Sequence, residues 1–163
     1  MSCDIQVLEV APGPLAVVRG VAKMNDLSSR IRELFDQVYG LLAKGAVRQA
    51  GQNVIVYLNE PGKNLLASPE GCPIEVGVQV AVPFTNGAGL MSSATPGGMV
   101  VTAVHMGTYD QIKMAHHAIH QWSADNHHTL ASPNWEIYGD WSDQPDQLRT
   151  DVFYLLSDPL VGR

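Results

Sequence analysis

Basic residues are scarce. Lys and Arg total 10 against 16 Asp and Glu, for a formal net charge of −6 and a pI near 5.4. Binding to phosphate backbones requires clustered cations, so direct nucleic-acid binding is not expected. The same negative field favours cationic small molecules or basic protein surfaces. Cysteine is nearly absent: Cys3 and Cys72 are the only two, far apart and without metal-ligand spacing, and both are read as free thiols. No stretch is long and apolar enough to span a bilayer. The N-terminus, Met1-Ser2-Cys3-Asp4, lacks the basic segment and apolar run of a secretory signal, so a cytoplasmic location with no membrane association is expected. No nucleophile elbow, phosphate loop or paired-acid signature is present, and no cofactor is expected. Aromatic residues make up 7% of the chain, which limits how aromatic any pocket is.

What is present suits a single soluble domain: 163 residues, 45% hydrophobic, enough for a sizeable core. A repeat is legible. Aligning Tyr57 in Asn53-Val54-Ile55-Val56-Tyr57-Leu58 with Tyr138 in Asn134-Trp135-Glu136-Ile137-Tyr138-Gly139 places Ile55 over Glu136. Upstream of each strand lies a helical stretch, and before that an apolar strand, at residues 15–21 and 99–105. Downstream, the segment from Glu75 to Pro83 has the spacing of that from Asp151 to Pro159. Each half therefore reads strand, helix, strand, strand, with the first repeat at about 4–84 and the second at about 95–159, an α+β pattern built on supersecondary units. The first helix is expected from an Asn25 cap, with Leu27, Ile31, Leu34, Val38 and Leu41 on one face, to Lys44-Gly45. The second is expected to open on a Thr108-x-x-Gln111 capping box and to carry Ile112, Ala115, Ile119 and Trp122 inward as far as Asn126.

Strand alternation assigns faces. Val76, Val78, Val80 and Val82 are expected under the helices, with Glu75, Gly77, Gln79 and Ala81 on a wet or ligand-facing side. The repeat register then puts Asp151, Phe153 and Leu155 on that second side and Val152, Tyr154 and Leu156 towards the helices. Phe153 is thus either a residue that a ligand covers or an ordinary edge of the core. Trp135 and Ile137 share one face, Glu136 and Tyr138 the other. With Trp135 packed under the second helix, Glu136 faces the groove, where a partly desolvated carboxylate needs a cation or hydrogen-bond donors. From spacing alone, a solvated strand residue is an equal reading. His116 and His120 stand one helical turn apart, a spacing that chelates zinc. No third ligand accompanies them, so no metal is expected and the histidines read as a solvated polar face. His105, at a strand end, either reaches the groove or caps the following turn.

The segments Thr95-Pro96-Gly97-Gly98, Val104-His105-Met106-Gly107-Thr108-Tyr109 and Glu136-Ile137-Tyr138 resemble the GyrI-like family of effector-binding domains. The resemblance implies a pseudo-twofold pair of strand-helix-strand-strand units, forming a curved antiparallel sheet with two long helices on one face and a ligand groove between the halves. It implies a small-molecule ligand, aromatic or cationic, met by Glu136, with Tyr57, Tyr109 and Tyr138 lining the groove; Phe153 joins the candidate contacts from the repeat register alone. Family members include the sensing halves of multidrug-responsive activators, gyrase inhibitors, and hydrolases that open strained rings. By the last comparison Glu136 acts as general base and Tyr57 assists; by the second the chain has a protein partner. No basic helix-turn-helix segment precedes the first strand, so the chain is expected to be a sensor without its DNA reader.

Overall fold

The computed structural model describes residues 4–87 and 89–157. Cys3 and Pro159, which entered the reading of the sequence, lie outside the described residues. The chain runs through β1 (Ile5–Val10), β2 (Gly13–Ala22), α1 (Leu27–Leu42), β3 (Asn53–Tyr57), β4 (Cys72–Gln79), β5 (Met91–Thr95), β6 (Gly98–Met106), α2 (Lys113–Asp125), β7 (Leu130–Tyr138) and β8 (Arg149–Leu156). The eight described strands form one sheet in the order β1-β6-β8-β7-β3-β4-β2-β5, antiparallel throughout. The expected strand, helix, strand, strand order is present in each half, as β2-α1-β3-β4 and β6-α2-β7-β8. The edge strands β1 and β5 are additions to it.

Chain connectivity forces this sheet to curl. β1 and β2 hold the first and seventh places, yet only residues 11–12 join them. In a flat sheet those strands would stand about 29 Å apart, whereas so short a link reaches about 11 Å. Residues 96–97 impose the same condition on β5 and β6, in the eighth and second places. The two links meet: a Cβ on Gly97 would come within 2.7 Å of the Pro12 ring.

The curl decides where the cores sit. Both helices lie on one face. There α1 packs on β2 and β4, and α2 on β6 with β1 and β8. Leu34 and Val38 of α1 pack on Ile74, Val76 and Val78; Ala115 and Ile119 of α2 pack on Val101, Ala103 and Val152. The other face carries a third core of Leu15, Val17, Val54, Val56, Val100 and Trp135, all buried, though no helix covers it. The expectation that this face is wet is corrected: a curled sheet brings distant strands together across its concave side. Gly77 serves the same close packing, since a Cβ there would stand 1.9 Å from the Ala16 carbonyl oxygen on the next strand.

Both helix stripes face inward as expected, with Leu34 and Val38 buried on α1 and Ala115 and Ile119 on α2. The caps differ. Asp26 rather than Asn25 precedes α1, accepting a hydrogen bond from the Lys23 N–H at 2.7 Å. The Thr108 capping box does not form: a 3-10 turn at Tyr109–Gln111 intervenes and α2 begins at Lys113. β4 ends at Gln79; Val80 beyond it is still buried in the core under α1, whereas Val82 is exposed.

Candidate functional site

β3 and β7 are the middle strands, and their helix-facing side lies between α1 and α2. Their register sets Ile55 opposite Glu136, Tyr57 opposite Asn134 and Asn53 opposite Tyr138. Cross-strand partners share a face, so Tyr57 is a diagonal neighbour of Glu136, and Tyr138 follows Glu136 on the same side two residues on. β8 adds Tyr154 opposite Asn134. The arrangement corrects one expectation. Trp135 is on the concave face, stacked on Phe153 at 5.4 Å between ring centroids, and Glu136 is on the helix-covered face. Alternation had paired these residues rightly and left open which pair met the helices.

Glu136 is 3% exposed and fully engaged. Oε1 accepts hydrogen bonds from the Tyr57 hydroxyl at 3.2 Å and from the Tyr138 hydroxyl. Oε2 lies 2.6 Å from Nε2 of His116, whose Nδ1 lies 2.7 Å from the Tyr154 hydroxyl. His120 packs edge-on against Tyr154 at 5.0 Å. Tyr109 packs edge-on against Tyr138 at 5.6 Å while staying 43% exposed, at the rim of the cluster. Among the described residues no Lys or Arg forms an ion pair with Glu136. A buried carboxylate is costly unless donors satisfy it; here tyrosine hydroxyls and an imidazole do so.

The structure thus brings together Glu136, Tyr57, Tyr138 and Tyr109. It does not bring Phe153 to them, because β8 alternation turns that side chain to the concave face. His116 and Tyr154 complete the cluster; the sequence marks His116 only as half of a zinc-spaced, solvated pair and Tyr154 only as turned towards the helices, and assigns neither to the site. The reading of His116 as solvated is corrected by its contact with Glu136. A signal existed: His116 lies four residues after Ile112 and three before Ile119, beside the buried stripe of α2. His105, near the end of β6, caps the following turn, its Nε2 2.9 Å from the Thr108 carbonyl oxygen. Trp141 is 74% exposed. Among the described residues no group of three or more His, Cys, Asp or Glu side chains is placed to hold a metal ion, and no helix is long and apolar enough to cross a membrane. Two open cavities lie elsewhere, one of about 500 Å³ beyond the end of α1 beside Tyr39 and Arg48, the other of about 480 Å³ beside Gln6 and Met114. Neither includes Glu136; chemistry rather than volume singles out the cluster between the helices.

Burial, and after it the nearby Glu136 charge, pushes the Tyr57 and Tyr138 phenols well above their ordinary range, and Tyr154 is raised by the same two causes. At neutral pH all three are hydroxyls. Their folded-state values exceed the unfolded ones, so above about pH 10 the unfolded chain loses phenolic protons that the folded chain keeps. Stability then falls by up to about 1.4 kcal/mol per pH unit for each group. Urea midpoints should decline steeply from about pH 10 upward, and Tyr57→Phe should soften the decline; an unchanged slope in that variant would remove Tyr57 from the account. Burial also pushes the Cys72 thiol up to about 11.

The family model for the GyrI-like small molecule binding domain matches residues 4–156. No curated protein matches the chain in sequence. Among solved structures, the EcmrR C-terminal domain superposes with a TM-score of 0.78 at 19% identity, over 98% of this chain and 100% of that one. SAV2435 bound to tetraphenylphosphonium gives 0.61 at 11% identity, over 94% and 93%. A hydrolase encoded by lin2189 from Listeria innocua gives 0.56 at 12% identity, over 96% and 93%. These likenesses are of fold.

Proposed function

The chain belongs to the GyrI-like small molecule binding domain family, and on that premise we propose that it binds an aromatic or amphipathic cation between its two helices, against Glu136. One observation carries this reading: the Glu136 carboxylate is buried among neutral hydroxyl donors and a histidine, with no Lys or Arg paired to it among the described residues. A site so built has negative charge to offer and aromatic faces beside it. Stacking of a flat cation on Tyr109 or Tyr138 contributes about 0.5–2 kcal/mol per contact. SAV2435, which has this fold, binds the lipophilic cation tetraphenylphosphonium, and that ligand is the natural first probe. The groove is read as the seam between two copies of a strand-helix-strand-strand unit. In support, the residues aligned by the sequence repeat, Ile55 and Glu136, are also the pair that face each other across β3 and β7, as a twofold axis through that seam requires.

Calorimetric titration with tetraphenylphosphonium and with neutral triphenylphosphine oxide tests the reading. The cation should bind at least about tenfold more tightly, a difference of about 1.4 kcal/mol. Equal affinities would deny Glu136 its charge role.

A second reading has the Tyr57 hydroxyl, 3.2 Å from Glu136, in its favour: hydrolysis of a strained-ring electrophile, with Glu136 as general base and Tyr57 assisting. Three donors already occupy the carboxylate, two on Oε1 and one on Oε2, so little of it is left to activate a water, and binding is the better-supported activity. Mass spectrometry of strained-ring electrophiles after incubation separates the two, since only hydrolysis returns them with water added.

A further inference from the structure

Among the described partners of Glu136, which are two phenols and one imidazole, His116 is the one that can carry a positive charge. Its imidazole is held at both nitrogens, Nε2 by Glu136 at 2.6 Å and Nδ1 by the Tyr154 hydroxyl at 2.7 Å. A hydroxyl both donates and accepts. With the ring neutral, Nε2–H donates to Glu136 and Nδ1 accepts from Tyr154. With the ring protonated, Nε2–H still donates to Glu136 and Nδ1–H donates to the Tyr154 oxygen. Rotation of one hydroxyl therefore accommodates either state without moving the ring. The side chain is 23% exposed, so protons exchange with solvent.

We propose that His116 is a built-in competitor for the ligand's positive charge: protonated, it neutralises Glu136 and disfavours cations; neutral, it leaves the carboxylate charge to the ligand. The inference rests on the reading that Glu136 receives the ligand. It adds that affinity for cations rises with pH, whereas affinity for neutral aromatic compounds does not.

The groups that face this switch are few. β7 presents Glu136 and Tyr138, β3 presents Tyr57 and β8 presents Tyr154. All three phenols are held protonated by burial and by the Glu136 charge, so they carry no charge into the balance. On α2 itself, His117 and His120 stand nearby. His120 is held below the ordinary histidine range by burial first, then by repulsion from His116 and His117, so it resists a second proton on this side of the helix. One carboxylate thus faces two alternative cations, the imidazolium and the ligand.

Tetraphenylphosphonium titrations of the wild-type chain and of His116→Gln, between about pH 5 and about pH 8, test the proposal. Glutamine retains a neutral donor but no titration. In the wild type the affinity should fall as pH falls, approaching about tenfold per pH unit once the free protein holds the proton. In His116→Gln it should be nearly flat, and triphenylphosphine oxide should be flat in both proteins. A flat wild-type profile, or the same slope in the variant, would overturn the competition and leave the cation site standing. Failure of tetraphenylphosphonium to bind at any pH would overturn the site and the competition together. If the variant does not fold, NMR titration of the His116 ring in the wild type decides: saturating cation must shift its midpoint to lower pH, because coupling is reciprocal, and an unmoved midpoint would sink the proposal.

Discussion

Glu136→Gln is expected to weaken tetraphenylphosphonium binding by about thirtyfold or more while leaving the protein folded. Removing one charge of a desolvated pair costs about 2 kcal/mol or more, the equivalent of that factor. The amide loses the charge and keeps the shape. Its oxygen still accepts from Tyr57 and Tyr138, and its NH2 donates to Nε2 of His116 once the ring takes the tautomer that donates from Nδ1 to Tyr154. A buried carboxylate is itself costly, so its loss should shift stability by no more than about 1–2 kcal/mol in either direction. Calorimetry measures the first effect and urea unfolding the second. Undiminished affinity in a folded variant would remove Glu136 from the site. Loss of affinity together with several kcal/mol of stability would recast it as a structural group.

Trp135→Ala, one residue away, should do the opposite. Trp135 is 2% exposed on the concave face, its ring parallel to Phe153 within 8°. Truncation of a buried ring in a core costs about 3–5 kcal/mol, through lost transfer energy and the cavity left behind. That is a large share of the stability of a domain of this size. The urea midpoint should fall accordingly, while the folded fraction keeps its affinity for the cation, because Glu136 points to the other side of the strand. Trp135→Phe, which retains a stacked ring, should recover much of the loss. A change under about 1 kcal/mol on truncation would mean that the concave core closes around the gap. Adjacent residues of β7 thus separate stability from binding.

Much of this was legible in the sequence. The stripes of α1 and α2, the strands around Tyr57 and Tyr138, and the segregation of Val152 and Tyr154 from Phe153 all follow from local periodicity, and the structure has them. Tyr57, Tyr109 and Tyr138 were named beside Glu136, and all are within the cluster. Four things were not legible. β5 reads Met-Ser-Ser-Ala-Thr, with too few apolar residues to mark a strand. The Thr108 capping box was displaced by a 3-10 turn. Phe153 was assigned to the ligand side because a sheet with helices on one face looks as if its other face were free. His116 was read as solvent-facing because its partner is twenty residues away on another element.

By itself the sequence determined relative positions: which side chains share a face with Glu136, which stripe of each helix turns inward, and that the chain matches the GyrI-like domain over residues 4–156. Periodicity has a phase but no absolute sign, so it pairs Glu136 with Tyr138 without saying what lies above them. The sign came from tertiary structure. Two short links hold opposite ends of an eight-stranded sheet together, which curls it, fills the concave face with Trp135 and Phe153, and leaves Glu136 on the convex face. There the buried charge had to find donors, and α2 supplied His116.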